Sequence, residues 1–328
     1  MVVDQREDDE HPDLLEPIGA GGRATVWRAW HRGRVVAVKR PADGSPEAVE
    51  RLEREARLAA RIAHPRVLPV SAQLRTPDGP LLVQPYAIGG SLADRLARHG
   101  ALAPCEAVQL AAQVAEALTA VHAAGIVHRD VKPANVLLDG AGGPLLADFG
   151  AAVTAREAAA GTRPAEGSPA YAAPETLTGH ASPRADLFGL GATLYEALTG
   201  SLAATGDPGG AGIETRLRRS VPGLPPALTG LVASCLAADP EGRPDSAAVV
   251  RARLLELVEP LRNWQPDADA ALAAWAAQDD PRVTRTFGPR PPRSVTPTPG
   301  SSAPSPLAVA VAAIATFVAP IAVAGLLT

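Results

Sequence analysis

Two short stretches of the chain concentrate groups able to handle phosphate and metal. The first is His128-Arg129-Asp130-Val131-Lys132-Pro133-Ala134-Asn135, followed by the apolar Val136-Leu137-Leu138. The second is Asp148-Phe149-Gly150. Charged and amide groups set between apolar runs mark a site rather than a solvated face. Asp148 and Asn135 offer the hard oxygen atoms that suit magnesium, an ion that keeps part of its water shell and shares substrate phosphates. Asp130 is a spare carboxylate able to receive a hydroxyl proton. Upstream, the glycines of Ile18-Gly19-Ala20-Gly21-Gly22-Arg23-Ala24-Thr25-Val26 let backbone N–H groups approach phosphate with no Cβ in the way. Alone, such a stretch is equally a plain hairpin turn. It does not open a helix, so it is no dinucleotide fingerprint, and it lacks the Gly-Lys-Ser/Thr of a P-loop. Lys39 ends the alternating strand Val36-Ala37-Val38, and Glu55 falls between Leu52 and Ala59 at helical spacing. A carboxylate beside a buried stripe needs a cation. Lys39 is the obvious one, although a lysine at a strand end can also face solvent.

These groups must be held by the elements around them. Apolar runs rich in β-branched residues predict strands at 15–18, 25–30, 35–39, 67–73 and 81–85. Leu52, Ala56, Ala59 and Ile62 recur at helical spacing, with Glu50, Glu53 and their arginine neighbours on the solvated face. After Gly90 the pattern is mostly helical, as in 107–123. A small β-rich part thus precedes a larger helical part, without the βαβ alternation of a doubly wound sheet.

The whole chain has 328 residues and a formal charge of −4. That balance argues against nucleic-acid binding as the main business of the protein. Apolar residues make up 46% and aromatic residues 3%, so a large core must be built from Ala, Val, Leu and Ile. Two cysteines, Cys105 and Cys235, exclude a disulfide scaffold or a four-cysteine zinc site and read as reduced, buried thiols. Residues 1–12 form an acidic leader that is not a secretory signal. Residues 13–258 form one globular unit. Residues 259–306 are a proline-rich juxtamembrane linker, with 260–278 ambiguous because Trp264 and Trp275 could belong to a short capping helix. Residues 307–327 carry no charge and would reach about 31 Å as a helix, close to the hydrocarbon thickness of a bilayer. Much of that run is alanine, and a buried terminal helix is the alternative. Arg282, Arg285, Arg290 and Arg293 precede it, which places the preceding residues on the cytoplasmic side of a single-pass membrane protein.

The chain resembles the eukaryotic-like (Hanks-type) serine/threonine protein kinases of bacteria over about residues 13–258. The order of motifs carries the resemblance: glycine-rich loop, Ala37-Val38-Lys39, the helix glutamate Glu55, the His128–Asn135 stretch, Asp148-Phe149-Gly150, then Gly167-Ser168-Pro169-Ala170-Tyr171-Ala172-Ala173-Pro174-Glu175. Asp186 and Arg243 complete it. It implies an α+β, two-lobe fold with a small β-rich lobe and a larger helical lobe. It implies ATP and Mg2+ as cofactors and protein Ser/Thr hydroxyls as acceptors. Asp130, Lys132, Lys39 and Glu55 become the catalytic machinery: Asp130 as base, Lys132 on the transferring phosphoryl group, and Lys39 paired with Glu55 on the α- and β-phosphates. Asn135 and Asp148 become the metal ligands. Ile18, Gly19, Ala20, Gly21, Gly22 and Val26 cover the nucleotide, Ala37 and Leu137 sandwich adenine, and backbone groups of Pro85 and Ala87 read its edge. Glu175 would pair with Arg243, and Asp186 would brace the catalytic loop. The departures are Ala24 for the third loop glycine, Gln84 where a bulky apolar residue is usual, and Ser168 for threonine. Lys132 points to the Ser/Thr class, and Arg129 suggests control through a phosphate on Thr154 or Thr162. The family further implies autophosphorylation and a possible homodimer. A membrane-tethered pseudokinase that binds nucleotide or a partner is the alternative, against which all four of Lys39, Asp130, Asn135 and Asp148 are present.

Overall fold

The computed structural model describes residues 11–20, 24–161, 169–203 and 211–265. The acidic leader up to residue 10, loop glycines Gly21 and Gly22, Thr162, Ser168, the linker from 266 onward and the apolar run 307–327 lie outside the described residues. Among the described residues no helix is long and apolar enough to cross a membrane.

The small lobe is a five-stranded antiparallel sheet in the order β1-β2-β3-β5-β4. Its strands are β1 (Asp13–Ala20), β2 (Ala24–His31), β3 (Arg34–Pro41), β4 (Ala72–Thr76) and β5 (Gly79–Pro85). Side chains alternate between its two faces. Ala29, Val36, Val38, Leu81 and Val83 pack together on one face. The other face carries Leu82, which packs with Leu52 and Ala56 of helix α1 (Pro46–Ala59). Register on that second face sets Lys39 opposite Leu82 and Ala37 opposite Gln84. Helix α1 starts where Ser45 caps the Ala48 N–H and Pro46 supplies a preset φ.

The expected strand at 67–73 begins later, at Ala72. Pro69 cannot donate to a ladder, and the chain there pairs with the other lobe instead. Leu68 N donates to the Leu146 carbonyl, and Leu146 N to that of Arg66. This stretch stitches the two lobes together.

The large lobe is built around α3 (Pro104–Ala123), which packs on α8 (Ala247–Arg262) and α5 (Pro183–Thr199). Helices α2 (Leu92–His99), α6 (Ala211–Ser220) and α7 (Pro226–Cys235) complete it. Its core is mainly Ala, Val and Leu, with Phe188 the largest fully buried side chain. Cys235 is buried but Cys105 is only half-buried, and both are free thiols. Helix α8 continues through Pro260 to Arg262, and the Trp264 indole donates to the Gly223 carbonyl. Between the lobes run short strands: β6 (Ile126–Val127) pairs with β9 (Val153–Thr154), and β7 (Val136–Leu138) pairs with β8 (Pro144–Leu146). A short helix, α4 (Ala155–Ala159), follows β9.

Candidate active site

The β7–β8 hairpin brings the two motifs together. Val136 opposes Leu146, and one step beyond that pair Ala147 N donates to the Asn135 carbonyl at 2.9 Å. Asn135 and Asp148 therefore leave the same end of one hairpin. His128 strengthens the junction. It is fully buried, its Nε2 bonds the Ala147 carbonyl at 3.1 Å, and its Nδ1 accepts from Asp130 N at 3.3 Å.

Asp130 is not spare. Lys132 Nζ donates to its two oxygens at 3.0 and 2.8 Å, and Asn135 Nδ2 donates to its carbonyl at 2.8 Å and to Oδ2 at 2.9 Å. Both N–H bonds of the Asn135 amide are thereby used, and its Oδ1 accepts no hydrogen bond from a described residue.

The second cluster spans the lobes. Lys39 Nζ donates to both Glu55 oxygens and to Asp148 Oδ1, each at 2.8 Å. Glu55 is 5% exposed and Asp148 41%, so one side of the cluster is closed and the other open. Partial burial pushes the Asp148 carboxyl up, but the charge and hydrogen bond of Lys39 outweigh it and hold it at about 2. Burial pulls Lys39 down, and Glu55 and Asp148 together more than reverse this. Asp148 Oδ2 accepts no hydrogen bond from a described residue. A side chain at Gly150 would crowd both carboxylates. A Cβ would lie 3.1 Å from Asp148 Oδ1 and 3.2 Å from Glu55 Oε2.

Magnesium can be tested against this geometry. One lysine faces two carboxylates, which leaves the cluster net negative, and Asp148 and Asn135 each present one uncommitted oxygen. Among the described residues no three His, Cys, Asp or Glu side chains are grouped to hold a metal by themselves. A two-oxygen site suits an ion that completes its shell with water and phosphate, so the residues fit Mg2+.

Two backbone positions of the site are held in the left-handed region, Arg129 at φ 66° and Asp148 at φ 64°. Such conformations persist only where surrounding structure enforces them. For Arg129 the enforcer is Asp186 on α5, which accepts His128 N at 2.9 Å, Arg129 N at 2.7 Å and His122 Nε2 at 2.7 Å. Burial raises the Asp186 carboxyl, but the hydrogen bonds from the His122 ring and the His128 N–H prevail and keep it below the usual range. Gly189 lets α5 approach this loop: a Cβ there would sit 2.6 Å from the Val131 carbonyl oxygen.

Of the remaining expected residues, Val26 and Ala37 share the Lys39 face of the sheet. Gly19 opposes Val26 and Val26 opposes Lys39. Ala37 and Leu137 are half-buried, each between fully buried neighbours, and Ile18 is 43% exposed. Pro85 opposes Val36. The Ala87 carbonyl accepts from Gly90 N, while its own N–H makes no hydrogen bond to a described residue. Thr154 is engaged rather than free: its hydroxyl caps α4 in a capping box with Glu157.

Glu175 and Arg243 form a bidentate pair at 2.6 and 2.8 Å. Sequence reasoning missed His122 and His128, Gly189, and two further pairs, Arg54–Glu157 and Tyr171–Glu196. His128 stood inside a quoted motif, so only its role was hidden. Nothing in the spacing signals the others.

Residues 13–255 match the family described as protein kinase domain. The chain is 39% identical over 187 residues to the serine/threonine-protein kinase PkaA of Streptomyces coelicolor, covering 51% of this chain and 34% of that protein. It is 40% identical over 176 residues to serine/threonine-protein kinase PknK of Mycobacterium tuberculosis, covering 52% and 16% respectively. Over 182 residues it is 39% identical to serine/threonine-protein kinase PknE of Mycobacterium bovis, covering 53% and 32%. The chain thus spans about a third or less of the length of these relatives.

Proposed function

Because this chain belongs to the protein kinase domain family, we propose that it is a serine/threonine protein kinase that moves the γ-phosphoryl group of Mg-ATP to protein hydroxyls. The observation that carries this is the pairing of an open, net-negative cluster at Lys39, Glu55 and Asp148 with a closed, held base at Asp130. The first is suited to bind metal and phosphate, and the second to receive a proton.

Catalysis of phosphoryl transfer is mainly positioning and charge stabilisation. Lys39, fixed by Glu55, holds the inner phosphates. Asp148 Oδ2 and Asn135 Oδ1 would hold Mg2+, which offsets phosphate charge when bound. Asp130 accepts the proton of the acceptor hydroxyl as that oxygen bonds to the γ-phosphorus and the bond to the ADP oxygen breaks. Lys132, hydrogen-bonded to Asp130, supplies positive charge to the transferring group. The glycine-rich loop at Gly19–Gly22, with Ala20, Val26, Ala37, Leu137, the Ala87 N–H and the Pro85 carbonyl, completes the nucleotide site.

Two extensions belong to the same reading. The chain phosphorylates itself in the segment after Gly150, with Thr162 the better acceptor because the Thr154 hydroxyl caps a helix. The uncharged run 307–327 anchors the protein in the membrane with its kinase domain in the cytoplasm. The test is mass spectrometry of the purified chain incubated with Mg-ATP and a generic protein acceptor. Phosphoserine or phosphothreonine on either protein supports transfer. Bound nucleotide with neither product leaves a pseudokinase. Membrane fractionation of the full chain against a version ending at residue 306 tests the anchor: equal recovery in the soluble fraction refutes it.

A further inference from the structure

We propose that Arg54 and Glu157 form a positioning pair that holds helix α1 where Glu55 engages Lys39. This rests on the reading of Lys39 as the nucleotide-phosphate ligand.

Arg54 directly precedes Glu55, about 100° away around α1. Glu55 faces inward with Leu52, Ala56, Leu58 and Ala59. Arg54 instead reaches across to Glu157, with Nη2 donating to Oε2 at 2.7 Å. That same oxygen accepts the backbone N–H and the hydroxyl of Thr154, both at 2.8 Å. Glu157 is therefore not a loose surface carboxylate; the cap of α4 fixes its direction.

The far side of the pair is anchored to the catalytic loop. Thr154 opposes Ile126 and Val153 opposes Val127 across the β6–β9 ladder, and Ala155 N donates to the Gly125 carbonyl at 2.8 Å. Strand β6 runs directly into His128, Arg129 and Asp130. Just past the end of α1, Arg61 donates to the Ala124 carbonyl at 2.9 Å. Arg61 thus pins one end of the helix to the large lobe, and Arg54 restrains rotation about that pin. Rotation is the motion that would carry Glu55 away from Lys39. The hydrogen bond from Arg54, together with those from Thr154, also holds the Glu157 carboxyl at about 2, so the charge persists throughout the working pH range.

The side chains are 39% and 42% exposed, so the pair is screened by salt and its effect is modest. Arg54→Ala and Glu157→Gln should each weaken binding of Mg-ADP, measured by titration calorimetry on the full chain, by about two- to five-fold. They should raise the KM for Mg-ATP by a similar factor and leave the KM for the protein acceptor unchanged. The double variant should bind no more weakly than either single variant, and Arg54→Lys should recover most of the loss. Melting temperatures of the same proteins separate this from general destabilisation. Unchanged nucleotide affinity in the single variants, or losses that multiply in the double variant, overturns the pair. Pair-dependent nucleotide binding without phosphate transfer by the wild type overturns the phosphotransfer reading alone. Absence of nucleotide binding overturns both.

Discussion

Two buried arginine or lysine sites in this protein are built on opposite plans. Arg243 is wholly enclosed, and every one of its N–H donors is committed. Nε bonds the Ala237 carbonyl, Nη1 bonds Glu175 and the Arg184 carbonyl, and Nη2 bonds Glu175 and the Ala238 carbonyl. Its guanidinium also lies 5.1 Å from the Phe188 ring centroid. One cation meets one carboxylate and nothing is left over. At Lys39 one cation meets two carboxylates, and Asp148 keeps an oxygen open toward solvent. A closed valence set fixes structure; an open, unbalanced one is a place for a ligand. Both are ion pairs by distance, so distance alone does not separate scaffold from chemistry.

Replacing the central cation in each place should therefore give opposite phenotypes. Lys39→Met should cut phosphate transfer roughly 100-fold or more, since a charge aimed at the phosphates is lost, a fall far larger than the destabilisation from leaving Glu55 without its lysine explains. Near-normal transfer by Lys39→Met in a filter-binding assay breaks the contrast. Asp148→Asn sharpens it. Removing the carboxylate also removes the favourable Lys39 contact that holds it at about 2, so the melting temperature should fall modestly while productive Mg-ATP use is abolished. A large fall in melting temperature would mean that Asp148 is scaffold after all.

Arg243→Leu should do the reverse. It strands Glu175 and three carbonyls, at a cost of about 3–5 kcal/mol, and chemical denaturation should show this as a shifted midpoint. A shift below about 1 kcal/mol would place the Glu175–Arg243 pair among weak surface contacts. Gly189→Ala should fall between the two plans. The added methyl must displace the Val131 carbonyl, an overpacking cost of about 1–3 kcal/mol. Because Val131 adjoins Asp130, transfer should fall by more than the stability loss explains. Proportional losses would put Gly189 with the scaffold.

The smallest effect concerns Glu157. Its carboxyl sits at about 2 against an ordinary 4.5. A lowered value stabilises the fold above the ordinary pKa, and that contribution fades as pH falls from about 4.5 toward 2. Wild type and Glu157→Gln should therefore differ in melting temperature near neutrality and converge in acid. A gap that widens in acid contradicts this.

The same contrast explains what could be read before folding. Asp130, Asn135, Asp148, Lys39 and Glu55 announce themselves because phosphate chemistry demands particular atoms at particular places along the chain. Glu175 and Arg243 were tied only through the family resemblance, since 68 residues separate them. His122 looks like the polar end of an apolar helix until Asp186 is seen beside it. Arg54 looks like one more solvated arginine among several, because pairing across 103 residues leaves no periodicity. The stretch 67–73 misled for a similar reason: β-branched residues mark extended chain but do not say which neighbour it pairs with. Local pattern gave the strands and helices of each lobe; the stitches between lobes depend on tertiary placement.

The most direct measurement is the initial rate of label transfer from γ-labelled ATP to a protein acceptor, with saturating Mg2+, by wild type and Asp130→Asn side by side. A held base predicts a fall of about 10²- to 10⁴-fold in the variant with its melting curve preserved. Equal rates in the two proteins would show that Asp130 receives no proton and that the assignment of this cleft is wrong.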